Sequence, residues 1–196
     1  MPIKPIAQIR APHITNTLFL LVGKSGSGKD TMADLLLKLF GLKKVKSVAT
    51  RNPRYEGEDT YYFVSDEEYD AANLCQHVIF SGCRYGAAVE EVNNSSLFAI
   101  CPNGIPELLE NYKHRPIVAI YLDTTNETRR ERMIKRGDTP ASIETRIKHD
   151  AESFGTIPEG VTVHTVDANQ DVESVLQQVL DVIKLYEPKH DWTWKE

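Results

Sequence analysis

The segment with the clearest chemical capacity is Gly23-Lys24-Ser25-Gly26-Ser27-Gly28-Lys29-Asp30-Thr31, in which the spacing G-x-x-x-x-G-K recurs from phosphate-cradling loops. Glycines let successive backbone N–H groups converge on an anion, and the start of the following helix adds its positive end. The segment lies between the apolar run Leu18–Val22 and a helix-period series, Met32, Leu35, Leu36 and Leu39, closed by Gly41. That strand–loop–helix context is what the motif requires. Gly23, Ser25, Gly26, Ser27, Gly28, Lys29, Asp30 and Thr31 are therefore candidate ligands of ATP phosphates, with Lys29 reaching the β- and γ-phosphates. The residue after this lysine is usually Ser or Thr, whose hydroxyl holds Mg²⁺. Here it is Asp30, which holds the metal directly or through water, or leaves that role to Thr31.

A second constellation follows. Thr50-Arg51-Asn52-Pro53-Arg54 places two guanidiniums three residues apart in a proline-stiffened segment, ahead of Gly57-Glu58 and Tyr61-Tyr62-Phe63-Val64-Ser65. Phe80-Ser81-Gly82-Cys83-Arg84-Tyr85-Gly86 comes later. Two arginine forks and two tyrosine hydroxyls can surround a phosphate monoester. An arginine pair with tyrosines is also an ordinary solvated loop, so these residues alone leave both readings open.

The blocks T-R-x-P-R, G-E, Y-x-F-V-S and S-G-x-x-Y-G, in this order after a P-loop, resemble guanylate kinase from about residue 18 to 186. The resemblance implies a nucleoside monophosphate kinase: a parallel sheet flanked by helices, a small β-rich acceptor-binding insertion and a helical lid. It puts Ser47, Arg51, Arg54, Tyr61 and Tyr85 on GMP-binding positions and Gln76 on the base-reading position. It also matches Arg132, Arg136 and Arg146 to lid arginines, with Arg132 on the ATP side and Arg51, Arg136 and Arg146 acting in catalysis. Arg129 and Arg130, in the same charged run, read as a solvated helix face paired to Glu127 and Glu131.

Three positions depart from the family. Gln76 stands where a guanine-reading Glu belongs, Ala87 where a Ser or Thr contacts the base, and Ala99-Ile100-Cys101 where the strand usually ends D-x-D. Gln offers one donor and one acceptor, whereas the guanine N1/N2 edge offers donors only. Asp30 replaces some of the lost negative charge, with Asp123 a weaker candidate whose alternative role is a helix N-cap. The expected activity is ATP- and Mg²⁺-dependent phosphoryl transfer to GMP or dGMP. The alternatives are a non-guanine monophosphate, ribose 1,5-bisphosphate, or a non-catalytic binding module of this family. Lys29 argues against the last, because such modules commonly lose the loop.

The elements that position these residues follow from hydrophobic period. Strands are expected at 43–48, 61–64, 77–81, 85–89, 97–101, 117–122 and 161–166, and helices at 105–112, 126–136, 140–154 and 171–186. This alternation implies an α/β fold with a parallel sheet covered on both faces. The expected organisation is an arm over 1–16, then a kinase-like domain over 17–196. Within it, 17–49 and 92–196 form the core, 50–91 the insertion and about 124–156 the lid.

A chain of 196 residues that is 41% hydrophobic supports one such domain with a real core. Its net charge of −5 argues against a dedicated nucleic-acid binder, while local cations can still hold a small anion. Cys75, Cys83 and Cys101 form no CxxC pair and read as reduced thiols of a cytoplasmic protein. No apolar run suits a membrane span, and a monomer or homodimer is expected.

Overall fold

The protein is described by a computed structural model covering residues 13–53, 56–80 and 82–193. Arg54 and Ser81, and most of the expected arm, lie outside these residues. The element order is β1 (Leu18–Val22), α1 (Lys29–Phe40), β2 (Val48–Ala49), β3 (Tyr62–Phe63), α2 (Asp66–Ala71), β4 (Leu74–Phe80), β5 (Cys83–Ala88) and α3 (Val89–Asn93). There follow β6 (Leu97–Ile100), a 3-10 turn at Pro102–Gly104, α4 (Ile105–Asn111), β7 (Ile117–Asp123), α5 (Asn126–Arg136), α6 (Pro140–Ser153), β8 (Thr162–Asp167) and α7 (Val172–Tyr186).

One sheet has the order β6-β1-β7-β8, with every pair parallel. Its central strand β1 is apolar throughout because both faces are covered. Phe19 and Leu21 pack with Met32, Leu36 and Phe40 of α1 and Val179 and Ile183 of α7. Leu18, Leu20 and Val22 enter a second cluster with Val92, Ile105, Leu108 and Tyr112. The period-2 alternation of a strand thus divides five consecutive apolar residues between two cores. The second sheet, β3-β2-β5-β4, has antiparallel β2–β5 and β4–β5 pairs and a parallel β2–β3 pair.

The expected strand at 43–48 does not form. Lys44 makes only an isolated bridge to Leu97, and Val45 N–H bonds the Leu97 carbonyl, before the chain leaves to form β2 in the other sheet. Two short helices were not anticipated. Ser65 and Glu68 form a reciprocal capping box that starts α2, and α3 begins where strand 85–89 was expected to end.

The termini of the flanking helices are chemically fixed. Gly41, at φ 72°, closes α1 with its N–H on the Leu36 and Leu37 carbonyls, and Gly137, at φ 94°, closes α5 in the same way. Thr125 caps α5 and Thr139 caps α6, so Asp123 has no capping role there. The phosphate loop follows β1, Cys101 follows β6, and Asp123 ends β7. All three therefore stand at the carboxyl edge of the parallel sheet, where ligands of open α/β sheets bind.

Candidate active site

The loop between β1 and α1 is shaped by its own lysine and by α5. Lys29 Nζ donates to the carbonyls of Gly23 (2.6 Å) and Lys24 (3.1 Å), so the side chain folds back across the loop mouth. Burial pushes the Lys29 ammonium down from its ordinary value, while Cys101, Asp30 and Asp150 oppose that shift. Gly28 caps α1 at φ 99° without a side-chain cap, which leaves the first helical N–H groups for a ligand. Gly26 has φ 78°, and a Cβ there would stand 3.0 Å from the Arg129 carbonyl oxygen. Only glycine meets both conditions.

Helix α5 grips this loop with one face. Arg129 Nε donates to the Ser25 carbonyl (2.7 Å), Met133 packs by Gly26, and an Arg132 guanidinium nitrogen lies 3.2 Å from the Ser27 carbonyl. Positions 129, 132 and 133 share a face by helical period. Arg129 is 1% exposed, so the solvated-face reading of this residue is overturned. Its guanidinium also pairs with Asp150 of α6 and donates to Asn126 (2.7 Å). Burial pushes the Arg129 guanidinium down from its ordinary value, and the Asp150 carboxylate opposes this. Arg130, by contrast, is an outer residue paired with Glu144 rather than with Glu127 or Glu131.

Next to the loop lies a cavity of about 460 Å³. Loop residues 26–31 line one side; Arg132, Met133, Lys135, Arg136, Val172 and Val175 line the other. A flatter depression of about 620 Å³ along α7, lined by Gln170, Glu173, Ser174, Gln177 and Gln178, carries no cation suited to a phosphate. Asp30 and Thr31 are both exposed at the start of α1. Asp30 accepts a hydrogen bond from Lys44 Nζ at 2.6 Å. Although its carboxylate is open to solvent, partial desolvation by the neighbouring chain works to raise the Asp30 carboxyl, but the Lys44 ammonium and Lys29 outweigh it and hold the group below its ordinary value. Among the described residues no three His, Cys, Asp or Glu side chains cluster to hold a metal. A single ionised carboxylate beside a phosphate cradle does fit Mg²⁺, which is commonly bound by one or two carboxylates, substrate phosphates and water.

The acceptor candidates gather on the second sheet. Arg51 forms a two-pronged pair with Glu58 (2.9 and 2.6 Å), and both side chains are buried. Its guanidinium lies over Tyr61 (5.2 Å) and Phe63 (5.0 Å), and the Tyr61 and Tyr85 rings are 5.3 Å apart. The hydrogen bonds it donates to Glu58 raise the Arg51 guanidinium above its ordinary value, burial lowers it, and Tyr85 adds to the rise. Arg51 Nε is buried with no hydrogen-bond partner among the described residues. Ser47 lies at the entrance to β2, its carbonyl accepting from Tyr62 N–H (2.9 Å).

Gln76 is 5% exposed and lies opposite Ala87 in the β4–β5 ladder, so it is not a solvated surface residue. Its Nε2 donates to the His77 carbonyl (2.8 Å). A Cβ added to Gly104 would stand 2.8 Å from the same nitrogen. Gln76 therefore reaches from the second sheet to the turn that follows β6 and Cys101. Arg136 and Arg146 meet at Asp138, through Arg136 Nε (2.9 Å) and Arg146 Nε (3.8 Å).

The sequence matches the family described as AAA domain over residues 20–155, more than half of the chain. The chain belongs to that family. It is 29% identical over 179 residues to guanylate kinase of Rhodopseudomonas palustris (strain BisB18), covering 82% of this chain and 81% of that one. It is 26% identical over 187 residues to adenylate kinase isoenzyme 1 of Homo sapiens, covering 85% and 95%. Its fold matches the crystal structure of guanylate kinase from Anaplasma phagocytophilum with a TM-score of 0.57 at 20% identity, covering 96% and 93% of the chains. It is thus a guanylate-kinase-like P-loop kinase.

Several residues of this kinase's site escaped sequence reasoning. Glu58, seen only as part of a G-E pair, orients Arg51. Lys44 covers Asp30, and Val172 and Val175 wall the cavity. Arg129 and Asp150 hold the loop. No local sequence signal joins these last two, which are 21 residues apart and more than a hundred from Ser25.

Proposed function

We propose that this kinase transfers the γ-phosphoryl group of ATP to the phosphate of a nucleoside monophosphate, with GMP or dGMP as the leading acceptor. The observation that carries this reading is the pairing of two sites. One is a phosphate loop with its lysine at the edge of the parallel sheet; the other is the Arg51, Tyr61 and Tyr85 cluster on the second sheet. Identity to a guanylate kinase over most of both chains supports the acceptor.

In this mechanism the loop N–H groups and Lys29 hold the β- and γ-phosphates, and the nucleoside of ATP lies in the cavity walled by Arg132 and Val172. Arg51, Arg54, Tyr61 and Tyr85 hold the acceptor phosphate, with Glu58 aiming the Arg51 fork, and Ser47 binds elsewhere on the acceptor nucleotide. An acceptor phosphate oxygen attacks the γ-phosphorus in line, the bond to the ADP oxygen breaks, and no covalent enzyme intermediate forms. Arg136 and Arg146 leave Asp138 to offset charge on the transferring group as the 124–156 segment closes over the site. Asp30 would hold Mg²⁺, which would supply charge neutralisation to the transferring phosphoryl group.

A second reading has specific support. Gln76 offers one acceptor oxygen where a carboxylate offers two, Ala87 has no hydroxyl, and Cys101 replaces an acidic group, so two base-reading contacts and one acidic position are altered. These changes favour a non-guanine monophosphate, or ribose 1,5-bisphosphate, as acceptor. ADP release measured with ATP, Mg²⁺ and a panel of GMP, dGMP, AMP, dTMP, UMP and ribose 1,5-bisphosphate decides between them. Highest kcat/KM with GMP or dGMP is the expected result. Preference for another member moves the assignment to it, and no turnover with any member rejects the reading.

A further inference from the structure

The phosphate loop is held by a buried ion pair that the reaction itself does not use. Asp150 accepts from Ser25 N–H (2.9 Å) and from the Ser25 hydroxyl (3.2 Å). Arg129 closes the ring by donating to the Ser25 carbonyl (2.7 Å) while pairing with Asp150. The side chains are 1% and 10% exposed. One loop residue thus has its N–H, its carbonyl and its hydroxyl all committed to two side chains on two helices, α5 and α6. Those helices are packed on each other through Met133, Ile143 and Ile147. At the adjoining Gly26 a Cβ would stand 3.0 Å from the Arg129 carbonyl oxygen, so α5 stays close along the loop.

We propose that Arg129 and Asp150 are positioning residues for the phosphate loop, setting both its shape and its local charge through Ser25. Shape follows because the carboxylate turns the Ser25 N–H toward itself, which leaves the N–H groups of later loop residues to meet the nucleotide. Charge follows because both groups act on Lys29, the carboxylate favouring its ammonium and the guanidinium opposing it. The pair is neutral as a unit, so a nucleotide phosphate approaches a site without excess negative charge. Breaking the pair from either side removes the same salt bridge but leaves opposite charges beside the loop. A purely structural pair predicts similar consequences from both sides; a pair that tunes the anion site predicts opposite ones.

This inference rests on the reading of residues 23–31 as a nucleotide phosphate site, and the experiment separates the two. ADP binding is measured by calorimetry without any acceptor, alongside the circular dichroism and melting temperature of each variant. Asp150→Asn keeps an oxygen acceptor for Ser25 N–H and removes a negative charge, so ADP should bind about threefold to tenfold more tightly despite a lower melting temperature. Arg129→Gln leaves the carboxylate unneutralised, so ADP should bind at least about tenfold more weakly. Arg129→Lys, which keeps the charge and loses the fork, should fall between Arg129→Gln and the parent.

Affinity shifts of the same sign in Asp150→Asn and Arg129→Gln, or unchanged affinity in both, overturn the proposal. If Arg129→Gln does not fold, Asp150→Asn decides alone: tightening supports the proposal and weakening overturns it. ADP binding that Lys29→Ala leaves intact overturns the phosphate-loop reading, and the proposal falls with it. Normal sensitivity to Lys29→Ala confines any failure to the positioning role.

Discussion

Changing Gln76 to Glu tests the region between the second sheet and the β6 turn. In the parent, the Gln76 amide donates to the His77 carbonyl at 2.8 Å in a 5% exposed position. An ionised Glu replaces that donor with a second acceptor aimed at a carbonyl. The lost bond is worth about 1 kcal/mol net, and a buried group left unpaired costs roughly 1–3 kcal/mol. A protonated Glu can still donate to the carbonyl, so the folded protein resists ionising it and its pKa rises.

The pH dependence follows from which state gives up its proton first. The unfolded Glu ionises near pH 4.3 while the folded one holds its proton, so stability falls as pH rises through that window, by ~1.4 kcal/mol per unit of pKa difference. With a rise of about two units, Gln76→Glu should lie within ~1 kcal/mol of the parent at pH 4.5 and about 3 kcal/mol below it at pH 8. Urea denaturation of both forms at the two pH values measures this. A destabilisation equal at both, or absent from both, refutes the buried hydrogen bond from which the magnitude comes. The same variant, assayed at pH 8 where its carboxylate is ionised, should raise the kcat/KM ratio for GMP over AMP by about tenfold. An unchanged ratio would remove Gln76 from the acceptor site.

Lys29→Ala should lower kcat by at least about a hundredfold while the melting temperature stays close to the parent's, since the lysine bonds only two loop carbonyls in the free protein; activity within tenfold rejects the loop mechanism. Thiol titration at pH 8 should find Cys83 reactive, Cys101 slower because burial pushes its thiol up against the effect of Lys29, and Cys75 silent until the protein is denatured, because Cys75 is fully buried and burial pushes its thiol up to about 11. Three fast thiols in the native state would contradict that burial. Asp138→Asn should cost less than about 1 kcal/mol, because Arg136 is half exposed and solvent screens the pair. Its hydrogen bond with Arg136 holds the Asp138 carboxyl below its ordinary value against the effect of burial. This contribution is therefore present above about pH 4 and fades as pH falls through the folded pKa; a difference between parent and variant that grows on acidification refutes the pairing.

Where local chemistry determines structure, the sequence was readable. Helix α5 has the bounds its caps dictate, from Thr125 to Gly137, and β1 is the uninterrupted apolar run before the glycines. The start of α2 was also written locally, in Ser65 and Glu68, but the Tyr-rich strand before it drew the reading away. The 43–48 segment failed for a different reason. Its composition suits a strand, yet it crosses from α1 to the second sheet, bridges Leu97 in passing and joins a ladder only at its last residue, Val48. Arg129 shows the limit most clearly. Among the seven Arg and Lys residues from 129 to 148 nothing in the chain distinguishes it, and only folding brings Ser25 and Asp150 to it. The resemblance carried the acceptor residues forward as positions, but it did not reveal that Glu58 already occupies the Arg51 fork.

The contact between Gln76 and Gly104 has an evolutionary consequence. Gly104 has φ −87°, a backbone conformation open to any residue, so it is space and not conformation that excludes a side chain there. The first atom of any side chain would press on the Gln76 amide at 2.8 Å and on Ile100 Cδ1 at 3.2 Å. Positions 76 and 104 therefore share one volume, although 28 residues separate them. A lineage that shortened residue 76 would open room at 104, and one that enlarged 104 first would force residue 76 out of its bond with His77. The two sites are expected to change together, shorter for longer, and the order of the steps should run through position 76.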